Sequence, residues 1–419
     1  MAKIKQITAR EILNAKGEPT IETSVILADG AVGVASVPSG TSVGKYEALD
    51  LKDNDEKRYG GNGVINAITN IEKILTPLLI GMEASNQQLV DKKMIEVDGT
   101  VNKSKIGANA ILSVSIAVAK AAARSAVLPL FLYLGEYVKK ENVQLKIPTP
   151  CFNILNGGKH GGGSIDFQEF LVIPATSKKY SESLEIGTRV YFALKKIIEN
   201  NNLSSLIGFE GGFSPKLASN QDALVLIKQA IDDSNLRPGF DMFLGLDAAS
   251  NNFYNENKYT IKDKSTSLTS KDLVEFYKMI NEQYHLLYLE DGLSEDDWDG
   301  WKDLYQNMSQ QTMIVGDDLI ATNPFRLSEA ISKKALSAVI IKPNQIGTII
   351  ESLAVAEMAK QAGLKVVVSH RSGETNDDFI ADFAVSVNAD YVKFGAPVRG
   401  ERVAKYNRLL AIETQLKSL

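Results

Sequence analysis

Short apolar runs recur along the last two thirds of the chain, and most are followed by a segment with helical periodicity. Residues 270–283 and 347–363 are two such helical segments. Strands that alternate with helices predict right-handed βαβ units and a parallel sheet. The apolar runs are FNIL (152–155), FLVI (170–173), MFLGL (242–246), LLYL (286–289), TMIV (312–315), AVII (338–341), KVVV (365–368) and YVKF (391–394).

This repetition predicts an α/β fold whose C-terminal part is a (β/α)8-type barrel. About eight strand–helix units in roughly 280 residues fit such a barrel. An open doubly wound sheet is the alternative that the same pattern allows. Gly363 is the last residue of the segment 347–363 and stands where a helix C-cap belongs.

The first third of the chain has a different pattern. Residues 19–37 alternate apolar and polar side chains in places, and Asp29-Gly30 within them is a hairpin turn signal. Helical patterns follow around residues 62–80 and 108–126. This part therefore combines β strands with helices.

A polar stretch at residues 137–146 separates these two patterns. A chain of 419 residues is longer than one hydrophobic core usually supports. We therefore expect a smaller N-terminal α+β domain at residues 1–137 and a barrel domain at residues 138–419.

Composition narrows the class of protein. The net charge of -5 is small and no Lys/Arg block stands out, which argues against nucleic acid as the main partner. Cys151 is the single cysteine, so intrachain disulfides and multi-cysteine zinc sites are excluded, as suits a reducing compartment. The apolar stretch 108–126 contains Lys120 and Arg124 and reads as a buried helix, not a membrane span. We expect a cytoplasmic location.

Charged side chains follow the predicted strands where each one ends. In barrels the C-terminal strand ends form the active-site face, so these side chains should share one rim. A single Asp after a strand is commonly the N-cap of the next helix, but three carboxylates in succession suit Mg²⁺. The residues are Asp247, Glu290-Asp291, Asp317-Asp318, Lys342, Ser369-His370-Arg371 and Lys393.

Lys342 follows the apolar run 338–341, where a buried ammonium is costly unless an anion lies nearby. An isolated Lys342 or Lys393 is most simply a salt-bridge partner. Beside a metal–carboxylate cluster, however, the pKa of a lysine can be tuned, and a lysine general base becomes a reasonable hypothesis.

Other polar groups are candidates for anion binding and for contact with a ligand through a carboxyl group. His370 alone fits a satisfied core histidine, but it adjoins Arg371 and Ser372, a pair suited to gripping an anion. Glu210 lies beside two glycines, either as a solvated turn residue or in contact with a ligand. The Gly-rich loop 156–170 has the spacing of neither a P-loop nor a dinucleotide fingerprint.

Together these groups suggest a reaction class. Mg²⁺ could neutralise a substrate carboxylate and stabilise the enediolate that forms when a lysine removes the neighbouring proton. A carboxylic acid on the opposite side could then protonate a leaving group.

The sequence resembles the enolase family over essentially its whole length. Enolase-superfamily sites are known to combine a Lys or His base with Mg²⁺, so this agreement is not an independent prediction. The motifs that carry the resemblance, in order, are AREILNAKGEPT, VPSGTSVGKYEA, GANAILSVSIA, FNILNGGKHGGGSIDFQEF, GFEGGFSP, LDAAS, YLEDGLSEDDWDGW, VGDDLIATN, IKPNQIGT, VSHRSGET and GAPVRGERVAKYNRLL.

The resemblance implies a fold and an activity. The fold is an N-terminal α+β capping domain on a barrel of ββαα(βα)6 type. The activity is phosphopyruvate hydratase, the reversible Mg²⁺-dependent dehydration of 2-phosphoglycerate to phosphoenolpyruvate in glycolysis, with two ions per site. Family members are usually homodimers, sometimes assembled into octamers, and neither nucleic acid nor a membrane is an expected partner.

The resemblance also implies roles at the reacting centre. Lys342 matches the base that takes the C2 proton, and Glu210 matches the acid that helps the C3 hydroxyl leave. The matching metal ligands are Asp247, Glu290 and Asp317 for one Mg²⁺ and Ser42 of the lid motif for the second.

Substrate binding is implied for seven further positions. Arg371 and Ser372 match the phosphate grip, and Lys393 matches a lysine that faces the substrate carboxylate. The others are His160 of a mobile loop, Gln168, Glu169 and His370.

The chain departs from the family pattern at several positions, none of which removes a metal ligand or the base. Phe209 stands where Asp is usual, and Lys16 where Arg is usual. Lys159 replaces Ser, Gly161–Gly163 replaces a more varied stretch, and Phe394 and Gly400 stand for Thr and Ser. We hypothesise that chemistry survives while loop closure, affinity or turnover is altered.

Two other interpretations stay open. The chain could be an enolase-derived paralogue with weak catalysis that acts as a binding or scaffold protein, although the retained acid, base and metal set speaks against this. It could also be another enzyme of the superfamily that acts on a non-phosphorylated acid. Arg371-Ser372 and the lid motif favour a phosphorylated substrate.

Overall fold

The computed structural model describes residues 2–40, 44–138 and 145–418. The chain begins with an antiparallel three-stranded sheet of order β1-β2-β3. The predicted hairpin turn joins β2 to β3, and Gly30 adopts the positive φ (+90°) that such a turn requires. The strands are β1 (Ile4–Leu13), β2 (Pro19–Leu27) and β3 (Val32–Ser36).

Helices cover one face of this sheet. The predicted helix at 108–126 is α4, which packs on β2 and β3, and the Thr23 and Ser113 hydroxyls lie 2.7 Å apart across that contact. Among the described residues, no helix is long and apolar enough to cross a membrane. The helices are α1 (Ile65–Asn70, continued by a π-helical turn at Ile71–Leu75), α2 (Thr76–Leu79), α3 (Gln87–Asp98), α4 (Ala108–Ser125) and α5 (Leu130–Gly135).

The rest of the chain forms a nearly closed barrel, as predicted. All eight apolar runs form strands, and the short strand β4 adds a ninth to the sheet, whose order is β4-β14-β13-β12-β11-β10-β7-β6-β5. Only Cys151 separates β4 from β5, so the two ends of this sheet belong to one segment. The strands are β4 (Thr149–Pro150), β5 (Phe152–Asn156), β6 (Glu169–Pro174), β7 (Met242–Asp247), the side hairpin β8 (Tyr254–Asn255) and β9 (Lys258–Tyr259), β10 (Leu286–Glu290), β11 (Met313–Gly316), β12 (Ala338–Ile341), β13 (Lys365–Ser369) and β14 (Tyr391–Lys393).

One strand corrects the expectation of a wholly parallel sheet. The strand β6 runs antiparallel to both of its neighbours, β5 and β7. Two helices, α6 (Tyr180–Asn200) and α7 (Asn220–Asp233), then connect β6 to β7. This is the ββαα(βα)6 order that the family resemblance implied. Because β6 is reversed, its first residue, Glu169, lies beside Asp247, the last residue of β7.

The remaining helices alternate with parallel strands. Several begin at side-chain caps, such as the capping box of Thr269 and Asp272 at the start of α8. Gly363 follows α12 with a positive φ of +75°, as expected for a helix end. The helices are α8 (Ser270–Tyr284), α9 (Trp298–Met308), α10 (Pro324–Lys333), α11 (Pro343–Ile346), α12 (Ile349–Gln361), α13 (Phe379–Ser386) and α14 (Gly400–Leu416).

The N-terminal part covers the rim at which the parallel strands end. Ser39 pairs with Gly373, and the Ala48 backbone N–H donates to the Gln345 carbonyl at 2.7 Å. Beneath this rim, buried side chains that include Cys151, Tyr288 and Val367 fill the interior of the barrel. The barrel is therefore packed, and the polar groups gather in a layer between its rim and the N-terminal part.

Candidate active site

A cavity of about 350 Å³ opens at this rim. Glu290 is completely buried and is joined to the cavity wall through Lys393. Ser42 lies outside the described residues. The other predicted site residues all line the cavity: His160, Gln168, Glu169, Glu210, Asp247, Asp317, Lys342, His370, Arg371, Ser372 and Lys393.

Lys393, at the end of β14, gathers three buried carboxylates. Its Nζ lies 2.7 Å from Glu290 Oε1, 3.1 Å from Asp247 Oδ2 and 3.2 Å from Glu169 Oε2. Burial opposes the ammonium charge, but Asp247, Glu169 and Glu290 outweigh it and raise the pKa of Lys393 well above its usual value. Tyr288 also bonds Glu290. Lys393 is therefore a fixed positive charge at the floor of the cavity.

Lys342 faces Asp317, which is the anion that accompanies this buried ammonium group. Its Nζ is bonded to the Asp317 carboxylate, and its backbone N–H donates to Thr322 Oγ1 at 2.9 Å. Burial alone would lower the pKa of Lys342, but Asp317 raises it above the usual value. In this arrangement Lys342 is charged.

Among the residues that the structure describes, two groups of three side chains each bring three possible metal-ligand atoms within 4.8 Å of one another. One group is Asp291, Asp317 and Asp318, whose hard oxygen ligands suit Mg²⁺. Burial and the charges of Asp318 and Asp317 raise the pKa of Asp291 well above its usual value, because another negative charge is unfavourable here. A divalent cation would offset this repulsion between the carboxylates. Asp317 also belongs to the predicted triad, whose other members meet at Lys393.

The second group surrounds Glu210. His160 Nδ1 lies 3.3 Å from Glu169 Oε1 and 3.6 Å from Glu210 Oε1. Glu210 Oε2 lies 3.3 Å from His370 Nε2 and accepts a hydrogen bond from Asn153 Nδ2 at 3.0 Å. Glu210 is only 2% exposed, so the alternative of a solvated turn glutamate is wrong.

The two carboxyl groups of this cluster have different proton affinities. Burial, followed by the charge of Glu210, raises the pKa of Glu169 to about 7. Burial opposes ionisation of Glu210 too, but His370, His160 and Arg402 favour its carboxylate and hold its pKa well below the usual value. A proton bound to this pair therefore lies mainly on Glu169.

Arg371 meets an acidic partner that the sequence did not single out. Its Nη1 lies 2.8 Å from Glu47 Oε2 and its Nη2 lies 3.3 Å from Glu47 Oε1. Glu47 is 9% exposed and comes from the N-terminal part. It stands within the quoted motif VPSGTSVGKYEA, but no local pattern distinguishes this acid from surface glutamates. Only the fold brings positions 324 residues apart into contact.

Several departures from the family pattern surround the entrance. Lys159 lines the cavity, whereas Phe209 is 43% exposed and does not belong to the lining. Gly161 approaches Asn156 so closely that a Cβ atom would lie 2.2 Å from its carbonyl oxygen. The glycine loop is therefore shaped by close backbone packing at its first position.

This architecture defines a class: an α/β barrel enzyme with acid–base and anion-binding groups at the C-terminal strand ends. A family model described as "Enolase, N-terminal domain" matches residues 4–134. A second, "Enolase, C-terminal TIM barrel domain", matches residues 144–419. The chain belongs to the enolase family and is thus a lyase of the enolase superfamily.

Proposed function

We propose that the chain is a magnesium-dependent phosphopyruvate hydratase that interconverts 2-phosphoglycerate and phosphoenolpyruvate. One observation carries this proposal: Lys342 and the Glu169–Glu210 pair line the same cavity from different sides. Lys342 follows β12, which stands across the barrel from β6, where Glu169 begins. A substrate between them would meet a candidate base on one face and a candidate acid on the other.

In the dehydration direction, Lys342 takes the proton from C2. The electron pair of the broken C2–H bond moves into the substrate carboxylate, which faces the positive charge of Lys393. Asp247, Glu290 and Asp317, with Ser42 for a second ion, would hold Mg²⁺, which when bound supplies positive charge that stabilises the developing negative charge on that carboxylate.

The Glu169–Glu210 pair acts at C3. The C3–O bond breaks as the C2–C3 double bond forms, and the hydroxyl leaves as water with a proton from this pair. Glu210 delivers the proton, while Glu169 and Gln168 support it. The proton that Glu169 holds near neutral pH is the supply for this step.

Arg371 and Ser372 give the site its preference for a phosphorylated substrate. A guanidinium can bind two phosphate oxygens through parallel N–H bonds. In the structure the same fork binds Glu47, so a phosphate group has to share or replace that partner. His160 and His370 line the cavity around Glu210 and complete the proposed substrate site.

The test follows the ultraviolet absorbance of the product double bond with 2-phosphoglycerate, in Mg²⁺ and after chelation. Magnesium-dependent product supports the proposal. Folded protein that binds Mg²⁺ and 2-phosphoglycerate by calorimetry but forms no product would favour the weak-catalysis paralogue. Turnover of a non-phosphorylated 2-hydroxy acid in preference to 2-phosphoglycerate would favour another enzyme of the superfamily.

The assembly and setting are part of the same proposal. We propose a glycolytic, cytoplasmic homodimer, the unit from which family octamers are assembled, with domains at 1–137 and 138–419. Light scattering at working concentration tests the assembly, and a monomer would contradict it.

A further inference from the structure

Arg402 is a fully buried cation that touches the site without lining its cavity. It lies near the start of α14 and is 0% exposed. Its Nη1 lies 2.6 Å from His370 Nδ1 and donates to the Arg371 carbonyl at 2.6 Å. Its Nη2 donates to the carbonyls of Ser372 at 2.7 Å and Phe209 at 3.4 Å.

These contacts fix the chemistry of one imidazole nitrogen. A guanidinium has N–H donors and no acceptor, so His370 Nδ1 must accept and cannot carry a proton. In a neutral imidazole the proton then sits on Nε2, which faces Glu210 Oε2 at 3.3 Å. Burial lowers the pKa of His370 to about 4, which agrees with the neutral form.

We infer that Arg402 is a positioning residue that holds His370 as the Nε2–H tautomer, so that the protonated ring nitrogen is the one that lies beside the candidate acid Glu210. The inference deepens the proposed function and, for its effect on turnover, rests on it. The tautomer itself follows from the donor-only chemistry of Arg402 and is independent of the substrate.

Arg402 also binds together two segments of the cavity wall. Phe209, whose carbonyl it contacts, directly precedes Glu210, and the other two carbonyls belong to the phosphate-gripping pair Arg371 and Ser372. One guanidinium thus connects the acid side of the site to its anion side.

The packing around this array leaves little freedom. A Cβ atom on Gly395 would lie 2.8 Å from the Glu210 carbonyl oxygen, 3.0 Å from His370 Cε1 and 3.2 Å from Arg402 Cδ. Gly395 therefore allows all three residues to approach one backbone point. This close packing disfavours rotation of the His370 ring to another hydrogen-bond arrangement.

The chain has only three histidines, which makes the tautomer directly measurable. The experiment records two-bond ¹H–¹⁵N correlations of ¹⁵N-histidine-labelled full-length protein at neutral pH. The variant His370→Gln identifies the His370 signals. We expect a neutral ring with Nε2 protonated and Nδ1 unprotonated. A protonated Nδ1, either in the other tautomer or in an imidazolium, would overturn the inference.

Two variants test whether Arg402 causes this state. Arg402→Met removes all of its donors, so His370 Nδ1 no longer has to accept a hydrogen bond from Arg402, and we expect the tautomer to shift. Arg402→Lys keeps a charged donor and should retain more of the Nε2–H form. If the Met variant does not fold, the Lys variant and the parent spectrum still decide. Unchanged His370 signals in a folded Met variant would overturn the inference.

Kinetics give the second readout. We expect kcat to fall by about ten- to a hundredfold in Arg402→Met, the size of effect seen when a group that orients a functional imidazole is removed, with partial rescue in Arg402→Lys. Arg408→Lys is the matched control, because Arg408 lies on the same helix and pairs with Asp382. Wild-type kcat in Arg402→Met would contradict the positioning role. A parent without lyase activity would defeat the proposed function, while the spectra would still decide the tautomer.

Discussion

Lys16 lies over the ring of Phe209, with its Nζ 5.6 Å from the ring centroid. Both residues depart from the family pattern, in which Arg and Asp are usual at these positions. The structure therefore shows that two departures distant in sequence form one contact. A cation–aromatic interaction therefore joins these two positions.

This contact predicts a measurable coupling. In a double-mutant cycle with Lys16→Met and Phe209→Leu, we expect a coupling of about 0.5–1 kcal/mol in the free energy of unfolding. The Lys16–Glu18 ion pair is lost with Lys16 in both arms and cancels. Urea unfolding of the parent, both single variants and the double variant measures it. Additive effects would show that the contact contributes no stability.

Phe209 should also have little part in turnover, since it does not line the cavity. We expect Phe209→Leu to leave kcat unchanged. A large loss of kcat in a Phe209→Leu variant of normal stability would show that Phe209 does affect catalysis. The more informative replacement, Phe209→Asp, restores the usual family residue and tests whether a charge beside Glu210 matters.

Glu47 pairs with the guanidinium of Arg371, which the proposed substrate phosphate would also need. Because Glu47→Gln keeps the shape of the side chain but removes its charge, we expect tighter binding of 2-phosphoglycerate, seen as a lower KM. The same change should destabilise the fold by about 3 kcal/mol, since it leaves the buried Arg371 poorly compensated. Steady-state kinetics and urea unfolding measure the two effects. A higher KM would show that Glu47 helps to bind substrate.

Asp91 predicts a pH-dependent component of stability. Burial raises its pKa to about 7, although the Ile350 N–H and Gln87 donate to its carboxylate. The folded state then keeps a proton that the unfolded chain releases above about pH 4. Stability from this group is full below pH 4 and is lost as pH rises to 7, by at most about 4 kcal/mol.

The variant Asp91→Asn mimics the protonated side chain and should remove this loss. Urea unfolding at pH 4.5 and 7.5 gives the difference in stability for parent and variant. We expect the variant to lose less stability, relative to the parent, between these two values. The same pH dependence in both proteins would contradict the raised pKa.

Metal binding should stabilise the fold. A ligand present at a hundred times its dissociation constant adds about 2.7 kcal/mol to the free energy of unfolding. We expect Mg²⁺ to raise the thermal midpoint of the parent and Asp317→Asn to lose most of that rise. Asp241→Asn, which changes a half-buried aspartate that pairs with Arg237, serves as the control. If Mg²⁺ raised the thermal midpoint equally in Asp317→Asn and Asp241→Asn, the ion would not be bound by Asp317.

Periodicity was sufficient to predict the barrel but not the direction of one strand. The run FLVI at 170–173 is apolar at every position. A buried strand has this pattern whether it runs parallel or antiparallel to its neighbours, so the pattern does not indicate the direction of the strand. The reversal of β6 came only from family resemblance. It matters for the site, because it brings Glu169 at the start of that strand to the rim where other strands end.

Site residues could be predicted from the sequence where a charged residue follows or interrupts an apolar run. Site residues without such a local signal could not be predicted. Lys342 and Asp317 stand out after buried strands, and the structure joins them. Glu47 and Arg402 were missed because each lies among ordinary charged residues. Their significance comes from burial against positions far along the chain, which no local pattern records.

The central claim is that Lys342 removes the C2 proton, and isotope exchange tests it most directly. The measurement follows loss of the C2 proton signal of 2-phosphoglycerate in deuterated, Mg²⁺-containing buffer, with parent, Lys342→Ala and Glu210→Gln. Because Glu210 acts only at C3, we predict that Glu210→Gln still exchanges the proton while product formation falls. Lys342→Ala, folded and Mg²⁺-saturated, should lose both. Exchange at the parent rate in Lys342→Ala would contradict the account.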